Sequence, residues 1–318
     1  MRLRFAVAAS VVGVLALAAD GPTFRTTLSL VKADAYVYDR QTHAAIVDLQ
    51  QSDFRVLDED QPRDLVYFGD DAGPLDLVLL LDVSGSVLEI LPKIANAASG
   101  ALSVLQPGDR AAVMAFSKRT VTTQPLTSDF DAVAEGIRDA TRVRIGLDTD
   151  INQALWSAAD YLHRAGGTAR RAILIVTDNE QMTRVPDSVV DEQLSESGAV
   201  LDGLLLRALP LPHVTHPGIL GFARNTGGEV IEGGHPAERL AEMIRRIKFR
   251  YSLHFRPVDG TGPQPRRIHI ELTPEARRRY PNAVVRARRL YFPQGTYKPK
   301  LQPGETIAIF GRTGKPAA

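Results

Sequence analysis

Leu77-Val78-Leu79-Leu80-Leu81-Asp82-Val83-Ser84-Gly85-Ser86 is a continuous apolar run that stops abruptly at one carboxylate and two hydroxyls. The run is too short for a capped soluble helix, and Pro74 and Gly85 bound it. It reads as a strand buried on both faces of a parallel sheet. Such sheets bind ligands outside the carboxyl ends of their strands. Asp82, Ser84 and Ser86 stand at that end with D-x-S-x-S spacing, so a tight turn through Gly85 can converge all three side chains. Their donors are all oxygen, which suits Mg²⁺, Mn²⁺ or Ca²⁺ and not a metal that prefers thiolate or imidazole.

Outward from this strand, residues 75 to about 248 alternate apolar runs with helical patterns, the mark of a doubly wound α/β sheet. A helix is predicted to start near Pro92, with Ile94, Ala98, Ala101 and Leu105 on one face. Arg110–Ser117 and Val121–Leu126 read as a hairpin or strand pair. A helix over Asp129–Ala140 takes Ser128 or Asp129 as its N-cap. Ile151, Ala154, Leu155, Ala158 and Leu162 share the face of another helix. A second apolar run, Ala172 to Thr177, also ends in a carboxylate, Asp178. Further elements are expected near Asp187–Glu196, Val200–Leu206, Ile219–Arg224 and Ala237–Phe249. In the last of these Glu242 and Arg246 form an i,i+4 pair on the wet side.

On both sides of the core the period changes to two. Val31, Ala33, Ala35 and Val37 alternate with Lys32, Asp34, Tyr36 and Tyr38, an expected strand with one solvated face. Short strands follow at Asp53–Val56 and Leu65–Phe68. After the core, Tyr251, Leu253 and Phe255 alternate with polar neighbours, as do Ile268, Ile270 and Leu272, and a third strand is expected over Val284–Phe292. Neither arm is large enough to close its own core, so the two are expected to pair as one β-sandwich-like domain. The organisation read from the chain is a signal peptide at 1–19, an N-terminal β arm at 20–74, the α/β domain at 75–248, a C-terminal β arm at 249–293, and a Pro/Gly-rich tail at 294–318.

The strand-end residues resemble the von Willebrand factor type A (VWA) family, a Rossmann-like fold. Its metal-ion-dependent adhesion site (MIDAS) joins D-x-S-x-S to a distant Thr and a distant Asp. The matching positions are Asp82, Ser84, Ser86, Thr149 in Gly146-Leu147-Asp148-Thr149-Asp150-Ile151, and Asp178. Asn179 stands where the family has glycine, and the paired glycines before the threonine are reduced to Gly146. The resemblance implies that Ser84, Ser86 and Thr149 supply hydroxyl ligands, while Asp82 and Asp178 act through water or hold the other ligands. It further implies an ion, Mg²⁺ or else Mn²⁺ or Ca²⁺, with an open position for an Asp or Glu carboxylate of a protein partner. Asp148 and Asp150 read as loop solvation or a helix cap. The flanking pieces Val37-Tyr38-Asp39, Ser52-Asp53-Phe54-Arg55-Val56, Val66-Tyr67-Phe68, Tyr251-Ser252-Leu253-His254-Phe255 and Arg286-Ala287-Arg288-Arg289-Leu290-Tyr291-Phe292 resemble a bacterial family described as acidobacterial VWFA-related proteins.

Composition narrows the function further. The 318 residues carry a formal net charge of +1 and no cysteine. That excludes disulfides, thiolate metal sites and a Cys nucleophile, and gives no basic excess for a nucleic-acid partner. Arg2 and Arg4, an apolar run from Phe5 to Ala19 and Ala16-Leu17-Ala18 form a cleavable export signal. The mature protein is expected to be exported, periplasmic or secreted, with no transmembrane segment after cleavage. An enzyme is not expected. Ser84 stands where a phosphate-transferring D-x-D would need its second carboxylate, and D-V-S-G-S is not the G-x-S-x-G elbow. Walker A and H-E-x-x-H motifs are absent from the sequence. His213 and His216 in a proline-rich stretch read as a solvated loop rather than a zinc site. The competing readings are an envelope scaffold with metal-independent contacts and a metal-dependent hydrolase on a Rossmann-like fold.

Overall fold

The computed structural model describes residues 30–69, 73–87, 89–146, 148–179, 184–206, 218–232, 236–258 and 264–292. The segment read as an export signal, the segment read as a C-terminal tail and the His213/His216 pair lie outside the described residues.

The apolar run forms β5 (Leu75–Asp82), and every residue in it is buried. It lies in the interior of a six-stranded sheet with β6 (Arg110–Phe116), β7 (Thr120–Thr127), β8 (Arg170–Thr177), β9 (Val200–Leu205) and β10 (Val230–Glu232), in the order β10-β9-β8-β5-β6-β7. Only β7 runs antiparallel, as a hairpin with β6. Side-chain alternation splits β5 between two cores. Leu75, Leu77, Leu79 and Leu81 pack with α1 (Leu91–Leu102), α2 (Phe130–Ala140) and α6 (Pro236–Lys248). Val78 and Leu80 face α3 (Ile151–Ala165), α4 (Asp187–Ser197) and α5 (Ile219–Thr226). The predicted faces are the buried ones: Ile94, Ala98 and Ala101 on α1, Leu155 and Leu162 on α3, Leu240 and Ile244 on α6.

Two further sheets build the sandwich. β1 (Val31–Asp39), β4 (Leu65–Gly69), β11 (Tyr251–Phe255) and β13 (Ala283–Ala287) make one, in the order β13-β1-β11-β4. β2 (Phe54–Asp58), β3 (Gln61–Arg63), β12 (Arg266–Leu272) and β14 (Leu290–Tyr291) make the other, in the order β14-β12-β2-β3. Each sheet mixes strands from both ends of the chain: Ala35 pairs with Tyr251, Val37 with Val285, and Val56 with Ile270. Ala33, Ala35, Leu253 and Phe255 meet Phe54, Val56, Ile268 and Ile270 in one shared core. The two arms thus depend on each other, as their half-amphipathic strands require.

Three expectations need correction. Tyr36 and Tyr38 are buried, not solvated. Arg250 lies over the Tyr36 ring at 5.8 Å and Arg286 over the Tyr38 ring at 5.6 Å, so this face of β1 is covered by cations. Arg246 does pair with Glu242, but its side chain is only 14% exposed because it also reaches buried Glu229 at 2.7 Å. The single strand expected over Val284–Phe292 is two, β13 and β14, and the chain changes sheet between them. A further helix, α7 (Pro274–Arg279), capped by Thr273, was not expected.

Ion pairs and charged hydrogen bonds tie the sheet to its neighbours. Asp76 takes Arg110 through both oxygens at 2.8 and 2.7 Å. Lys248 reaches Asp109 at 2.6 Å, and Asp109 also accepts from the backbone of Leu75 and Gln106. Arg250 spans from the sandwich to Asp202 at 3.0 Å and to the Gly227 carbonyl at 2.8 Å. Arg288 donates to the Ala199 carbonyl at 3.0 Å.

Glu192 on α4 is buried, and this lifts its carboxyl to about 7 from the ordinary 4.5, with Glu196 adding repulsion. The folded value lies above the unfolded one, so the native state holds the extra proton and stability falls as pH rises from about 4.5 through 7. Glu192→Gln should remove that slope. Denaturant titrations at pH 5 and pH 8 are expected to show the wild type losing about 1–2 kcal/mol more than the variant. Equal losses would show that Glu192 keeps an ordinary carboxyl in the fold.

Candidate functional site

Asp82 closes β5 and is fully buried. Its Oδ1 accepts from the Ser84 backbone N–H at 2.9 Å, the turn that an Asx residue forms with the chain two positions on. The turn brings Ser84 Oγ to 3.3 Å from Ser86 Oγ. Ser84 is buried, while Gly85 and Ser86 are exposed, so the group opens to solvent on one side. The D-x-S-x-S spacing therefore does locally what it implies.

Neighbouring strands complete the surroundings. β8 lies beside β5 and ends at Thr177, whose hydroxyl donates to Asp82 Oδ2 at 2.6 Å. The same Thr177 Oγ1 accepts from the Asn179 backbone N–H at 3.1 Å, which bends the chain around Asp178. Asp178 is half-buried and near enough for its charge to act on Asp82. On the other side, Asp82 pairs with Phe116 at the end of β6. The next residue, Ser117, accepts from the Asp150 backbone N–H at 2.9 Å and so draws the 148–150 loop over this edge. Gly146 packs there at φ 126°, and a Cβ on it would stand 3.3 Å from Lys118 Cβ.

Asp82, Ser84 and Ser86 are thus brought together directly, and Asp178 acts on Asp82 from the adjacent strand end. Thr149 is buried on the loop anchored to Ser117, but among the described residues it makes no hydrogen bond to the other four. Asp150 caps α3 by accepting from the Gln153 N–H at 3.1 Å, and Asp148 is exposed near Lys118, so both have the structural roles expected of them. Thr177 and Ser117 were missed. Thr177 stands at the end of a run whose Thr-Asp close resembles the family's T-D-G strand end, but only Asp178 was given a role there. Ser117 carried no signal of its own.

The replacement of glycine by Asn179 has a physical reason. The residue sits at φ 63°, the left-handed region that asparagine tolerates better than most side chains. Its Oδ1 accepts from the Ile219 N–H at 3.2 Å and so fastens the start of α5 to the site. Gly218 is required opposite, since a Cβ there would stand 2.3 Å from Asn179 Oδ1.

The charge balance of the site fits a cation. Burial pushes the Asp82 carboxyl up to about 6, against the hydrogen bonds from Thr177 and Ser84, and Asp178 adds to the rise. The Ser117 hydroxyl is buried with no hydrogen-bond partner among the described residues. No group of three or more His, Cys, Asp or Glu able to hold a metal occurs among the described residues. The five residues read from the sequence would offer two carboxylates and three hydroxyls, oxygen throughout, a set that suits a hard divalent ion that keeps several waters. Each Asp82 oxygen already accepts one hydrogen bond, which suits a carboxylate that orients the other ligands.

A doubly wound sheet with a polar loop cluster at the carboxyl ends of its inner strands defines a broad class of α/β binding domains. Within that class, residues 77–181 match the family model described as von Willebrand factor type A domain, and the chain carries a domain of that family. The chain is also similar to solved structures. A von Willebrand factor type A protein from Catenulispora acidiphila is 11% identical, with a TM-score of 0.46 over 83% of this chain and 75% of that one. An aerotolerance-related membrane protein from Bacteroides fragilis is 18% identical, with a TM-score of 0.43 over 54% of this chain and 98% of that one. The mussel byssus proximal thread matrix protein 1 is 14% identical, with a TM-score of 0.44 over 64% and 51%.

Proposed function

We propose that this is an exported, non-enzymatic interaction protein that binds a protein partner through a divalent cation at the strand-end site. The observation that carries the reading is the turn that sets Ser84 Oγ 3.3 Å from Ser86 Oγ beneath a buried, cross-linked Asp82 carboxylate. Ser84, Ser86 and Thr149 would supply hydroxyl oxygens, and Asp82 and Asp178 would hold the ion's waters and orient the hydroxyls. A bound Mg²⁺, Mn²⁺ or Ca²⁺ would supply a positive centre with few direct carboxylates, and so an attraction for an Asp or Glu of the partner. Exposed Gly85 and Ser86 leave that side accessible. No nucleic-acid partner is proposed, because the chain is close to neutral. Among the described residues, no helix is long and apolar enough to cross a membrane.

The test is a pull-down from the source organism's envelope fraction with wild-type protein and Thr149→Ala, each in Mg²⁺ and in excess chelator. A specific partner is expected with wild type in Mg²⁺ only. Thr149→Ala is expected to lose at least about tenfold in partner affinity while keeping metal affinity, because a residue changes an equilibrium only through differential affinity for the two states. Capture that is equal with Mg²⁺ and chelator would reject the metal-dependent reading and leave a scaffold.

A further inference from the structure

A concavity lies away from the strand-end site. It has a volume of about 290 Å³ and is walled by α5, the start of β10 and the end of β13, with Leu220, Arg224, Glu229, Arg286 and Arg289 among its lining. The strand-end site is at the carboxyl ends of the parallel strands, whereas this groove meets β10 at its amino end. We propose that it is a binding site for a small organic oxyanion, a carboxylate or phosphate on a compact body.

The argument begins with the backbone. Gly227 and Gly228 form the floor where the sandwich meets the α/β domain. A Cβ on Gly227 would stand 2.4 Å from the Ala287 carbonyl carbon, and one on Gly228 would stand 1.9 Å from the Leu201 carbonyl oxygen. Gly227 also takes φ 86°, which favours glycine. Gly227 lets residues 287–288 approach the end of α5, and Gly228 lets the same turn lie against β9, so that arginines from the sandwich and from α5 border one cavity. The Arg289 N–H fastens the approach by donating to the Asn225 carbonyl at 2.9 Å.

Charge then sets the ligand class. Glu229 is the one carboxylate in the lining, and Arg246 already takes it at 2.7 Å. Arg286 Nε stands 3.7 Å from Glu229, too far for a hydrogen bond, and is buried with no hydrogen-bond partner among the described residues. The Arg224 and Arg289 side chains make no ion pair or hydrogen bond among the described residues, and both residues are exposed. Three guanidinium groups thus line a concavity whose single carboxylate is already matched. Guanidinium forks pair bidentately with carboxylate and phosphate oxygens. Leu220, Ala223 and Val230 add apolar wall for a short carbon body. The volume is at the lower end of the range for small-molecule pockets, which excludes a large ligand.

Succinate and glycerol phosphate serve as probes, titrated calorimetrically into the full chain at low ionic strength. The protein is stripped of divalent ions with chelator and then desalted into metal-free buffer, so that no divalent ion at the strand-end site can bind the probes and no chelator carboxylate competes with them. At least one probe is expected to bind saturably at millimolar concentration or tighter, and the stronger of the two identifies the oxyanion. The double variant Arg224→Gln/Arg289→Gln alters exposed side chains that have no partners among the described residues and should fold as wild type. It is expected to bind at least about tenfold more weakly, the loss of charge-assisted hydrogen bonds. Asp82→Ala should bind the probe as wild type does. Absence of saturable binding for both probes, or unchanged affinity in the double variant, overturns the proposal.

Discussion

Asp82→Ala is expected to lower affinity for Mg²⁺ or Mn²⁺ by about 100-fold, the upper end of what loss of an orienting carboxylate costs a metal site. The side chain fixes three things at once. Its Oδ1 holds the Ser84 N–H, its Oδ2 holds the Thr177 hydroxyl, and through Thr177 it sets the bend around Asp178. Without it, Ser84 loses the hydrogen bond that shapes the turn and Asp178 loses its register. The truncated protein should still fold, because removing a buried carboxylate also removes the burial cost that raises its pKa to about 6. Calorimetric Mg²⁺ titration and Mn²⁺ paramagnetic resonance would measure the change, with circular dichroism as the folding control. Asp148→Ala, on an exposed residue of the threonine loop, should bind metal as wild type does. Wild-type affinity in Asp82→Ala would move the ion elsewhere.

Asp202→Ala is expected to cost about 3–5 kcal/mol, the penalty for removing one partner of a buried ion pair and stranding the other. Arg250 and Asp202 are 2% and 0% exposed, so bulk solvent does not reach the place of the lost carboxylate. Arg250 Nε has no hydrogen-bond partner among the described residues, so the guanidinium already depends on its other nitrogens. The same arginine covers Tyr36 of β1 and holds the Gly227 carbonyl, so its misplacement would loosen the joint between sandwich and α/β domain. Thermal unfolding should show the midpoint falling by on the order of 10 °C. The double variant Asp202→Leu/Arg250→Met should recover much of the loss, since well-packed apolar pairs replace buried ions at little cost. A single variant within about 1 kcal/mol of wild type would show that the pair adds nothing beyond packing.

Legibility in the sequence followed the strength of each physical signal. β5 and β8 are runs of leucine, isoleucine and valine with carboxylates at their ends, and nothing but a doubly covered parallel strand suits that pattern. The arms were readable because period-two strands demand a partner face. β10 and β3, three residues each, carry too little pattern to detect, and their pairing is imposed by longer neighbours. The burial of Tyr36 and Tyr38 was unreadable because it depends on Arg250 and Arg286, more than two hundred residues away in the chain. In the site, D-x-S-x-S was local and therefore visible. Thr177 and Ser117 act through strand neighbours, and only the sheet order shows that they border Asp82.

The mixing of both chain ends in each sandwich sheet also fixes an order of events during synthesis. The Leu49 N–H bonds the Tyr251 hydroxyl across 202 residues. At roughly 5–20 residues per second, β1 and β2 wait about 10–40 seconds for the strands that will flank them. In that interval the intervening α/β domain can complete its own sheet, and Val37, Phe54 and Val56 stay without their apolar cover. The N-terminal segment is then an open strand edge, and the arrival of the C-terminal strands, rather than local helix or turn formation, sets the moment at which the sandwich closes.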